Sequence, residues 1–194
     1  MIQLYTIYKK ILKFVHQKKA IYQLRKSNTT FSKDIRFNGK TRLLLNGTTR
    51  IGDSFICNSS KHFCIDNGFS TINVRQGAEL TIGNYCGISN TILHCYNYIK
   101  IGNYVNIGAG TIIFDTNFHS TYWQDRTDRS IDIQNAKTAP IYIGDYVFIG
   151  ARCIIGKGIT IGDKSIVAAG SVVTRDIPTG EIWGGNPAKF IKKI

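Results

Sequence analysis

The feature that most constrains this chain is an aliphatic residue that returns at every sixth position of its C-terminal half. The series runs through Ile143, Ile149, Ile155, Ile161, Val167 and Val173. A second series in the same phase, four positions after each aliphatic residue, holds small or apolar side chains at Val147, Cys153, Ile159, Ser165 and Ser171. The same spacing occurs earlier at Ile101, Ile107 and Ile113, at Ile82 and Ile88, and more faintly around Ile51, so the repeat spans roughly residues 43–177.

A period of six fits neither an amphipathic α-helix, whose period is about 3.6, nor a simple alternating strand, whose period is about two. It is typical of a solenoid, in which each hexapeptide forms a short strand and a corner, and stacked coils bury a shared column of aliphatic side chains. Glycine directly follows four of the six aliphatic residues, for example Gly144 after Ile143. Because glycine adopts positive φ without strain, we expect these glycines to form the corners. The sequence therefore predicts an all-β solenoid of parallel strands.

Segments without the repeat lie at both ends of the chain and in one internal stretch. Residues 1–33 are predicted to form a basic amphipathic helical segment. Its apolar residues at helical spacing are Leu4, Tyr5, Tyr8, Ile11, Leu12 and Val15. The β-helix is predicted over residues 34–177, interrupted at 120–139 by a polar excursion loop, and loops on a rigid scaffold often carry function. Residues 178–194 are predicted to form a turn and a short C-terminal helix.

Positive charge is concentrated at the N-terminus. Residues 1–33 contain eight Lys or Arg and no Asp or Glu, within a chain whose net charge is +13. A basic helix of this kind suits packing against the β-helix or a neighbouring subunit, or contact with an anionic membrane surface. No nucleic-acid-binding motif accompanies it, so nucleic acid is not an expected partner. No apolar run is long enough to cross a bilayer and no secretory signal is recognised, which favours a cytoplasmic protein with, at most, peripheral contact at the inner face of the membrane.

Five cysteines, none of them in a CxxC pair, are spread along the chain at Cys57, Cys64, Cys86, Cys95 and Cys153. Their spacing matches no zinc-binding pattern, and three of them lie within apolar repeat segments. We therefore expect reduced thiols, most of which pack in the core as free cysteines usually do, and no metal site.

Three segments together resemble the hexapeptide-repeat acyltransferases, and within them the galactoside, maltose and polysaccharide O-acetyltransferase branch. They are the repeat itself, AAGSVVTRDIP at residues 168–178, and GGNPAKFIKKI at residues 184–194. The resemblance implies a left-handed parallel β-helix, a homotrimer, and acetyl-coenzyme A (acetyl-CoA) bound in a groove between adjacent subunits. It further implies transfer of an acetyl group to a saccharide hydroxyl, in the biosynthesis of a surface polysaccharide or another glycan.

The segment FDTNFHS, residues 114–120, resembles the catalytic loop of the polysaccharide O-acetyltransferases, in which a histidine removes the proton from the acceptor hydroxyl. The resemblance gives His119 this role, and imidazole chemistry is suited to it. Asp115 and Asn117 are expected to orient the imidazole or to bind the acceptor. The repeat phase alone would instead turn His119 inward as a buried polar residue, and the same phase argument favours a structural role for His94.

For acetyl-CoA, the resemblance implies backbone contacts at small residues and phosphate contacts at cations and one hydroxyl. The backbone contacts are Gly150, Ala151 and Ala169, and the phosphate contacts are Thr174, Arg175, Lys189 and Lys192. Arginine and lysine suit the polyanionic nucleotide end of coenzyme A; the less favoured alternative is that they are solvated surface cations. In the excursion loop, Trp123 and Arg126 are expected to contact the acceptor, since an aromatic face suits a sugar ring and a guanidinium suits a carboxylate or phosphate.

Three other functions compete with this one. An acetyltransferase of the same fold could act on a small non-sugar acceptor such as an antibiotic or an amino acid, although FDTNFHS fits the saccharide branch better. A γ-class carbonic anhydrase shares the β-helix but needs two zinc-binding histidines five residues apart, a spacing absent among His16, His62, His94 and His119. The third alternative is a non-catalytic β-helix that serves as a scaffold. Acetyl is the expected acyl group, while the sequence leaves the acceptor open.

Overall fold

The structure is a computed structural model that describes residues 2–59 and 68–194, with side chains described from Tyr5 onward. The side chain of Leu4, together with His62 and Cys64, therefore lies outside the described residues. Helix α1 (Ile2–Lys26) precedes the strands, and helix α2 (Arg129–Asn135) lies in the excursion loop after one turn of 3-10 helix at Asp125–Thr127.

The strands that follow α1 are short and succeed one another at the spacing of the repeat, with α2 inserted between β12 and β13. The first three coils contain β1 (Thr29–Phe31), β2 (Arg36–Gly39), β3 (Arg42–Leu45), β4 (Thr48–Ile51), β5 (Ile56–Ser59), β6 (Thr71–Val74), β7 (Glu79–Ile82), β8 (Gly87–Ser89) and β9 (Ile92–Cys95). The next three contain β10 (Tyr98–Ile101), β11 (Asn106–Ile107), β12 (Ile112–Phe114), β13 (Ile141–Ile143), β14 (Phe148–Ile149), β15 (Ile154–Ile155), β16 (Thr160–Ile161), β17 (Ile166–Val167) and β18 (Val172–Val173). The chain ends with β19 (Glu181–Gly185) and β20 (Ala188–Lys193).

Every third strand joins the same sheet, so the chain winds around three parallel sheets. Sheet A has the order β1-β4-β7-β10-β13-β16, sheet B begins at β2 and continues in steps of three to β17, and sheet C does the same from β3 to β18. The register aligns the repeat: Ile101 pairs with Ile82 on one side and with Ile143 on the other. The predicted parallel architecture is confirmed, and this rotation of strands among three sheets is that of a β-helix.

The core of the β-helix is the predicted column of aliphatic side chains. All residues of both series between Ile143 and Val173 are no more than 5% exposed. The two serines of the second series are buried with their hydroxyls satisfied, since Ser165 donates to the carbonyl of Pro178 and Ser171 to that of Ala168. The stacked coils thus bury apolar surface that no single coil could bury alone.

The glycines after the aliphatic residues do not form the corners by adopting positive φ, and this part of the prediction was wrong. Positive φ occurs two residues further on, as at Tyr104 (φ 56°) and Tyr146 (φ 59°), whose rings stack with centroids 4.8 Å apart. Gly150 is instead required by the neighbouring coil. A Cβ on Gly150 would lie 2.5 Å from the backbone nitrogen of Ala169, closer than packed atoms approach.

Helix α1 packs against the β-helix through a different face from the predicted apolar stripe. Ala20 and Leu24 are buried against the first coil, and the side-chain amide of Gln17 donates to the carbonyl of Ile35 at 2.9 Å and accepts from the N–H of Phe37 at 2.6 Å. The helix thereby covers the open end of the core. The Gln17 side chain also satisfies backbone groups at the exposed edge of β2. The stripe at Tyr5, Tyr8, Ile11 and Val15 is about half exposed.

The boundaries at both ends differ from the prediction. The β-helix starts at Thr29, within the segment 1–33 that was assigned to the helical region. The C-terminal helix predicted within 178–194 is wrong, because β19 pairs in parallel with β17 and then antiparallel with β20. The exposed edge of β17 supplies unpaired backbone groups that an extended segment satisfies and a helix would not.

The four cysteines among the described residues, Cys57, Cys86, Cys95 and Cys153, are buried free thiols, which confirms their packing role. Burial raises the pKa of Cys86 to about 11 and that of Cys95 to about 12. Over the same part of the chain, no helix is both long enough and apolar enough to cross a bilayer.

Candidate active site

The excursion loop leaves the β-helix after β12 and returns at β13, at the corner between sheets C and A. Its two ends are held together near the coil, where the N–H of Asn117 donates to the carbonyl of Lys137 at 3.0 Å and the N–H of Ala139 donates to that of Asp115 at 3.0 Å. Phe118 then adopts φ 62°, in the left-handed region that non-glycine residues seldom occupy. This sharp turn directs the next residue, His119, away from the core.

His119 lies on the surface and pairs with a buried carboxylate. Its Nδ1 is 2.6 Å from Oδ2 of Asp132, and the two side chains are 68% and 9% exposed respectively. The exposure overturns the inward orientation that the repeat phase suggests. The pairing residue, Asp132, was not among the predicted site residues.

The hydrogen bond fixes which imidazole nitrogen is free. The imidazole lowers the pKa of Asp132, as does the N–H of Ser120, so this carboxyl is ionised at neutral pH and can only accept. Nδ1 of His119 must then carry the proton and donate it to Oδ2. In the neutral imidazole, Nε2 therefore has a free lone pair, which is the form a general base needs.

Asp132 is held in place by the local structure of α2. Asp128 caps the helix by accepting from the N–H groups of Ser130 and Ile131, at 2.8 and 3.2 Å. The second oxygen of Asp132 accepts from the N–H of Ser120 at 2.7 Å, so one carboxylate binds both the imidazole and the adjoining backbone.

A second carboxylate, Asp125, stiffens the same loop without touching the imidazole. Its Oδ2 accepts from the hydroxyl of Ser120 at 2.6 Å and from the side-chain amide of Asn135 at 2.9 Å. The loop that carries His119 is therefore ordered by polar contacts rather than by an apolar core. Asp132 binds the imidazole, whereas Asp125 holds other parts of the loop together.

Asp115 does not orient the imidazole, contrary to the prediction. It is fully buried, and its carboxylate accepts from the backbone N–H groups of Tyr96, Asn97 and Tyr98 at 2.7 to 2.8 Å. These bonds shape the corner of the preceding coil. Asn117 is half-buried and its backbone closes the loop, while the role of its side chain stays a prediction.

His94 has a structural environment, but it does not face the core as its repeat phase suggests. It is half-buried, and its neighbours Leu93 and Cys95 take the core positions of β9. Its ring meets those of Tyr96 and Phe118 edge-on, with centroids 6.3 and 5.4 Å apart, and its Nδ1 lies 3.2 Å from the side-chain nitrogen of Asn73. Burial lowers the pKa of His94, which favours the neutral ring. Through Phe118, this cluster supports the turn that presents His119.

The residues predicted to bind acetyl-CoA fall into three places. Gly150 and Ala151 lie at the corner between sheets B and C, with Ala169 in the coil above them. Thr174 and Arg175 follow β18 at the corner between sheets C and A, where both are exposed. The two lysines, Lys189 and Lys192, lie on β20 and are also exposed.

The two residues predicted to bind the acceptor both lie in the excursion loop, in different settings. Trp123 is 66% exposed, beside the equally exposed Tyr122. The guanidinium of Arg126 instead donates to the carbonyl of Ser120 at 2.8 Å, so part of its hydrogen-bonding capacity is used within the loop. Among the residues that the structure describes, no cluster of three or more His, Cys, Asp or Glu could hold a metal ion.

Comparisons with known proteins identify a repeat and several relatives. A family model described as the hexapeptide repeat of succinyl-transferase matches residues 140–175. The chain is 33% identical over 120 residues to a galactoside O-acetyltransferase from Escherichia coli (strain K12), covering 61% of this chain and 56% of that protein. It is 35% identical over 92 residues to a 2,3,4,5-tetrahydropyridine-2,6-dicarboxylate N-acetyltransferase from Staphylococcus aureus (strain JH9), covering 47% of this chain and 32% of that protein. The chain thus spans less than two thirds of either relative.

Solved structures share the fold over most of the chain. AntD, an N-acyltransferase from Bacillus cereus in complex with dTDP and 3-hydroxybutyryl-CoA, superposes with a TM-score of 0.69 at 22% identity, covering 89% of this chain and 87% of that one. A hexapeptide-repeat-containing acetyltransferase from Vibrio cholerae O1 biovar eltor, complexed with acetyl-CoA, gives a TM-score of 0.57 at 24% identity, covering 95% and 84%. The predicted resemblance to hexapeptide-repeat acyltransferases is confirmed.

Proposed function

From this similarity to hexapeptide-repeat acyltransferases, we propose that the chain is an acyl-CoA-dependent O-acetyltransferase with a left-handed β-helix, which transfers acetyl from acetyl-CoA to a saccharide hydroxyl. The observation that carries the proposal is the pair of His119 and Asp132, which leaves a basic Nε2 free on an exposed loop. The activity named for the E. coli relative, galactoside O-acetyltransferase, supports a saccharide acceptor. A role in glycan biosynthesis is part of the proposal and follows from the resemblance of FDTNFHS to the polysaccharide branch.

The reaction follows from that geometry. Nε2 of His119 accepts the proton of the acceptor hydroxyl as its oxygen attacks the thioester carbonyl carbon. Asp132 stabilises the imidazolium that forms, and backbone N–H groups are the natural donors to the oxyanion of the tetrahedral intermediate. The intermediate collapses by breaking the C–S bond, and the departing sulfur takes the proton from Nε2. The products are an acetyl ester and the coenzyme A thiol, without a covalent enzyme intermediate.

The acyl donor is proposed to lie along the corner of small residues. Gly150, Ala151 and Ala169 leave the backbone accessible to a pantetheine arm, and Thr174, Arg175, Lys189 and Lys192 surround its phosphates. Arg175 and the two lysines take part in none of the ion pairs found among the described residues, which leaves them available to an anion.

The proposed homotrimer explains how two separated groups of residues form one site. His119 leaves the β-helix at the C/A corner, whereas Gly150 and Ala151 lie at the B/C corner. Sheet C, about five residues wide, separates these corners by about 15 Å at roughly 3.3 Å per residue. A neighbouring copy that turns its B/C corner towards His119 would unite them.

The proposed location is the cytoplasm, where acetyl-CoA is available, with peripheral contact between residues 1–26 and the membrane. The supporting observation is helix α1, which keeps Tyr8, Ile11 and Phe14 exposed among lysines. Such a helix suits the interface of an anionic bilayer.

The activity is tested by thiol release from acetyl-CoA with a panel of mono- and oligosaccharides, amino sugars, amino acids and antibiotics. We expect saccharide-dependent release that falls by about 10² to 10⁴ in His119→Ala, the range for loss of a general base. Release with amino acids or antibiotics but no saccharide would move the proposal to a small non-sugar acceptor. Absence of release together with absence of coenzyme A binding would favour a non-catalytic scaffold.

The shared site is tested by mixing two variants that are each expected to be inactive, His119→Ala at the C/A corner and Ala169→Trp at the B/C corner, after unfolding and refolding them together. If each site draws these residues from different copies, roughly a quarter of the sites in a randomly mixed ring have both intact, and activity returns. A monomer mass in light scattering, or no recovery in mixed oligomers, would contradict the shared site.

A further inference from the structure

A groove separates helix α1 from the first coils and is lined by cations on both sides. Its volume is about 560 Å³, and its lining includes His16 and Lys19 from the helix, Lys40 from the segment that joins β2 to β3, and Arg42 at the start of β3. None of the described residues in its lining is acidic. The chain before this segment holds no acidic residue up to position 33, so the cations face no compensating charge from the helix.

These cations form no ion pair among the residues that the structure describes. Burial and the charges of Lys19 and Lys40 lower the pKa of His16, which reflects a positive potential inside the groove. The ammonium of Lys40 lies 5.0 Å from the ring centroid of Phe69, a contact that leaves its charge unneutralised. An anion in the groove would therefore meet several cations without displacing a carboxylate of the described residues.

The groove is also partly apolar. Val15, Leu43 and Leu44 contribute aliphatic surface to its lining. A ligand that combines a phosphate with an apolar chain would match both the cations and the aliphatic surface.

The surroundings of the groove distinguish a membrane from a second copy of the chain. The exposed apolar residues Ile11, Phe14 and Val15 lie on the same helix, at most eight residues before Lys19. A second copy carries the same net charge of +13 and the same basic helix, so it is the less favourable partner for this surface. An anionic bilayer offers phosphate to the cations and an apolar layer to the helix.

We propose that this groove binds the phosphate headgroup of an anionic lipid while the exposed apolar residues of α1 enter the interface of the same membrane. The inference rests on the proposed contact of residues 1–26 with a membrane, and it is independent of acyl transfer. It assigns the lipid contact to Lys19, Lys40 and Arg42 rather than to the positive charge of the protein as a whole.

The test is co-sedimentation of the full chain with vesicles of phosphatidylcholine alone and of phosphatidylcholine and phosphatidylglycerol in equal parts. Wild type is expected to bind only the second. The double variant Lys40→Glu, Arg42→Glu should lose at least about tenfold in binding, since each basic residue near an anionic surface contributes about 1 kcal/mol. The control, Lys100→Glu with Lys164→Glu, makes the same charge change at exposed positions outside the groove and should bind within about twofold of wild type.

Each of the following outcomes would contradict one part of the proposal. Equal losses in both double variants would show general electrostatic attraction and no headgroup site. Failure of wild type to bind either vesicle would remove the membrane contact itself, while thiol release with a soluble acceptor would still report on the enzyme. Displacement from vesicles by millimolar inorganic phosphate would identify a free-phosphate site. A changed oligomer mass for Lys40→Glu, Arg42→Glu without lipid would make the groove a subunit contact.

Discussion

Nδ1 of His119 and Oδ2 of Asp132 are 2.6 Å apart, although the two residues belong to different parts of the excursion loop. Loss of this acceptor should leave the imidazole free to rotate and to exchange tautomers. We expect Asp132→Asn to lower kcat by about 100-fold, because a misplaced catalytic group costs about that much, with little change in the KM for acetyl-CoA. Steady-state thiol release measures both constants.

The matched control for this variant is Asp125→Asn. Asp125 lies in the same loop and accepts from Ser120 and Asn135, but it does not contact the imidazole. Its kcat should stay within severalfold of wild type. A similar loss in both variants would indicate that the excursion loop is simply disordered by either change, and the orienting role of Asp132 would be withdrawn.

Asp115 is expected to matter for stability and little for the chemistry. Asp115→Asn places an amide among three backbone N–H donors that now bond to a carboxylate, and at least one donor loses its acceptor. We expect a loss of about 3 kcal/mol in the free energy of unfolding, measured by urea denaturation. The kcat of the folded fraction should remain close to wild type, and a large fall in kcat with unchanged stability would restore Asp115 to a catalytic role.

The buried cysteines should resist alkylation in the native protein even in alkaline solution. The raised pKa values, about 11 for Cys86 and about 12 for Cys95, keep these thiols protonated at pH 9, and the thiolate is the reactive form. Iodoacetamide at pH 9 followed by peptide mass spectrometry should leave both residues unmodified until denaturant is added. Rapid labelling of either thiol in the folded protein would contradict its buried position.

The parts of the fold that were predictable from sequence are those in which one short pattern repeats. Ile143, Ile149 and Ile155 occupy equivalent positions on three successive sheets. A period of six residues therefore predicts both a short strand and the corner that follows it. The C-terminal segment has no such redundancy. Its conformation depends on the free edge of β17, a tertiary feature that the composition of residues 178–194 does not encode.

The histidine that we propose as the general base was predictable because it lies in the recognisable segment FDTNFHS, whereas its partner was not. Three aspartates, Asp125, Asp128 and Asp132, lie within eight residues of the loop, and their sequence positions give no reason to prefer one. Only the folded loop separates them: Asp128 caps α2, and that helix turns Asp132 towards His119. A polar loop without periodicity specifies its structure through such individual hydrogen bonds.

The finding that Gly150 is required by contact with the neighbouring coil leads to a prediction in which Gly156 serves as the comparison. Gly150 and Gly156 both follow an aliphatic residue of the repeat, and neither has positive φ. A Cβ on Gly150 would lie 2.5 Å from the nitrogen and 2.7 Å from the Cα of Ala169, whereas a Cβ on Gly156 would meet nothing within 4 Å. Gly150→Ala should destabilise the protein by about 1 to 3 kcal/mol, or more if the backbone cannot shift.

Gly156→Ala should be neutral or stabilising by up to about 1 kcal/mol, since alanine reduces the entropy of the unfolded chain. Thermal unfolding separates the two cases, because 1 kcal/mol corresponds to roughly 2 to 4 °C in the Tm of a domain of this size. If conformational freedom were the reason for glycine at these positions, both variants would lose stability alike. Equal behaviour of Gly150→Ala and Gly156→Ala would therefore contradict close coil packing as the cause, and a loss confined to Gly150→Ala would establish it.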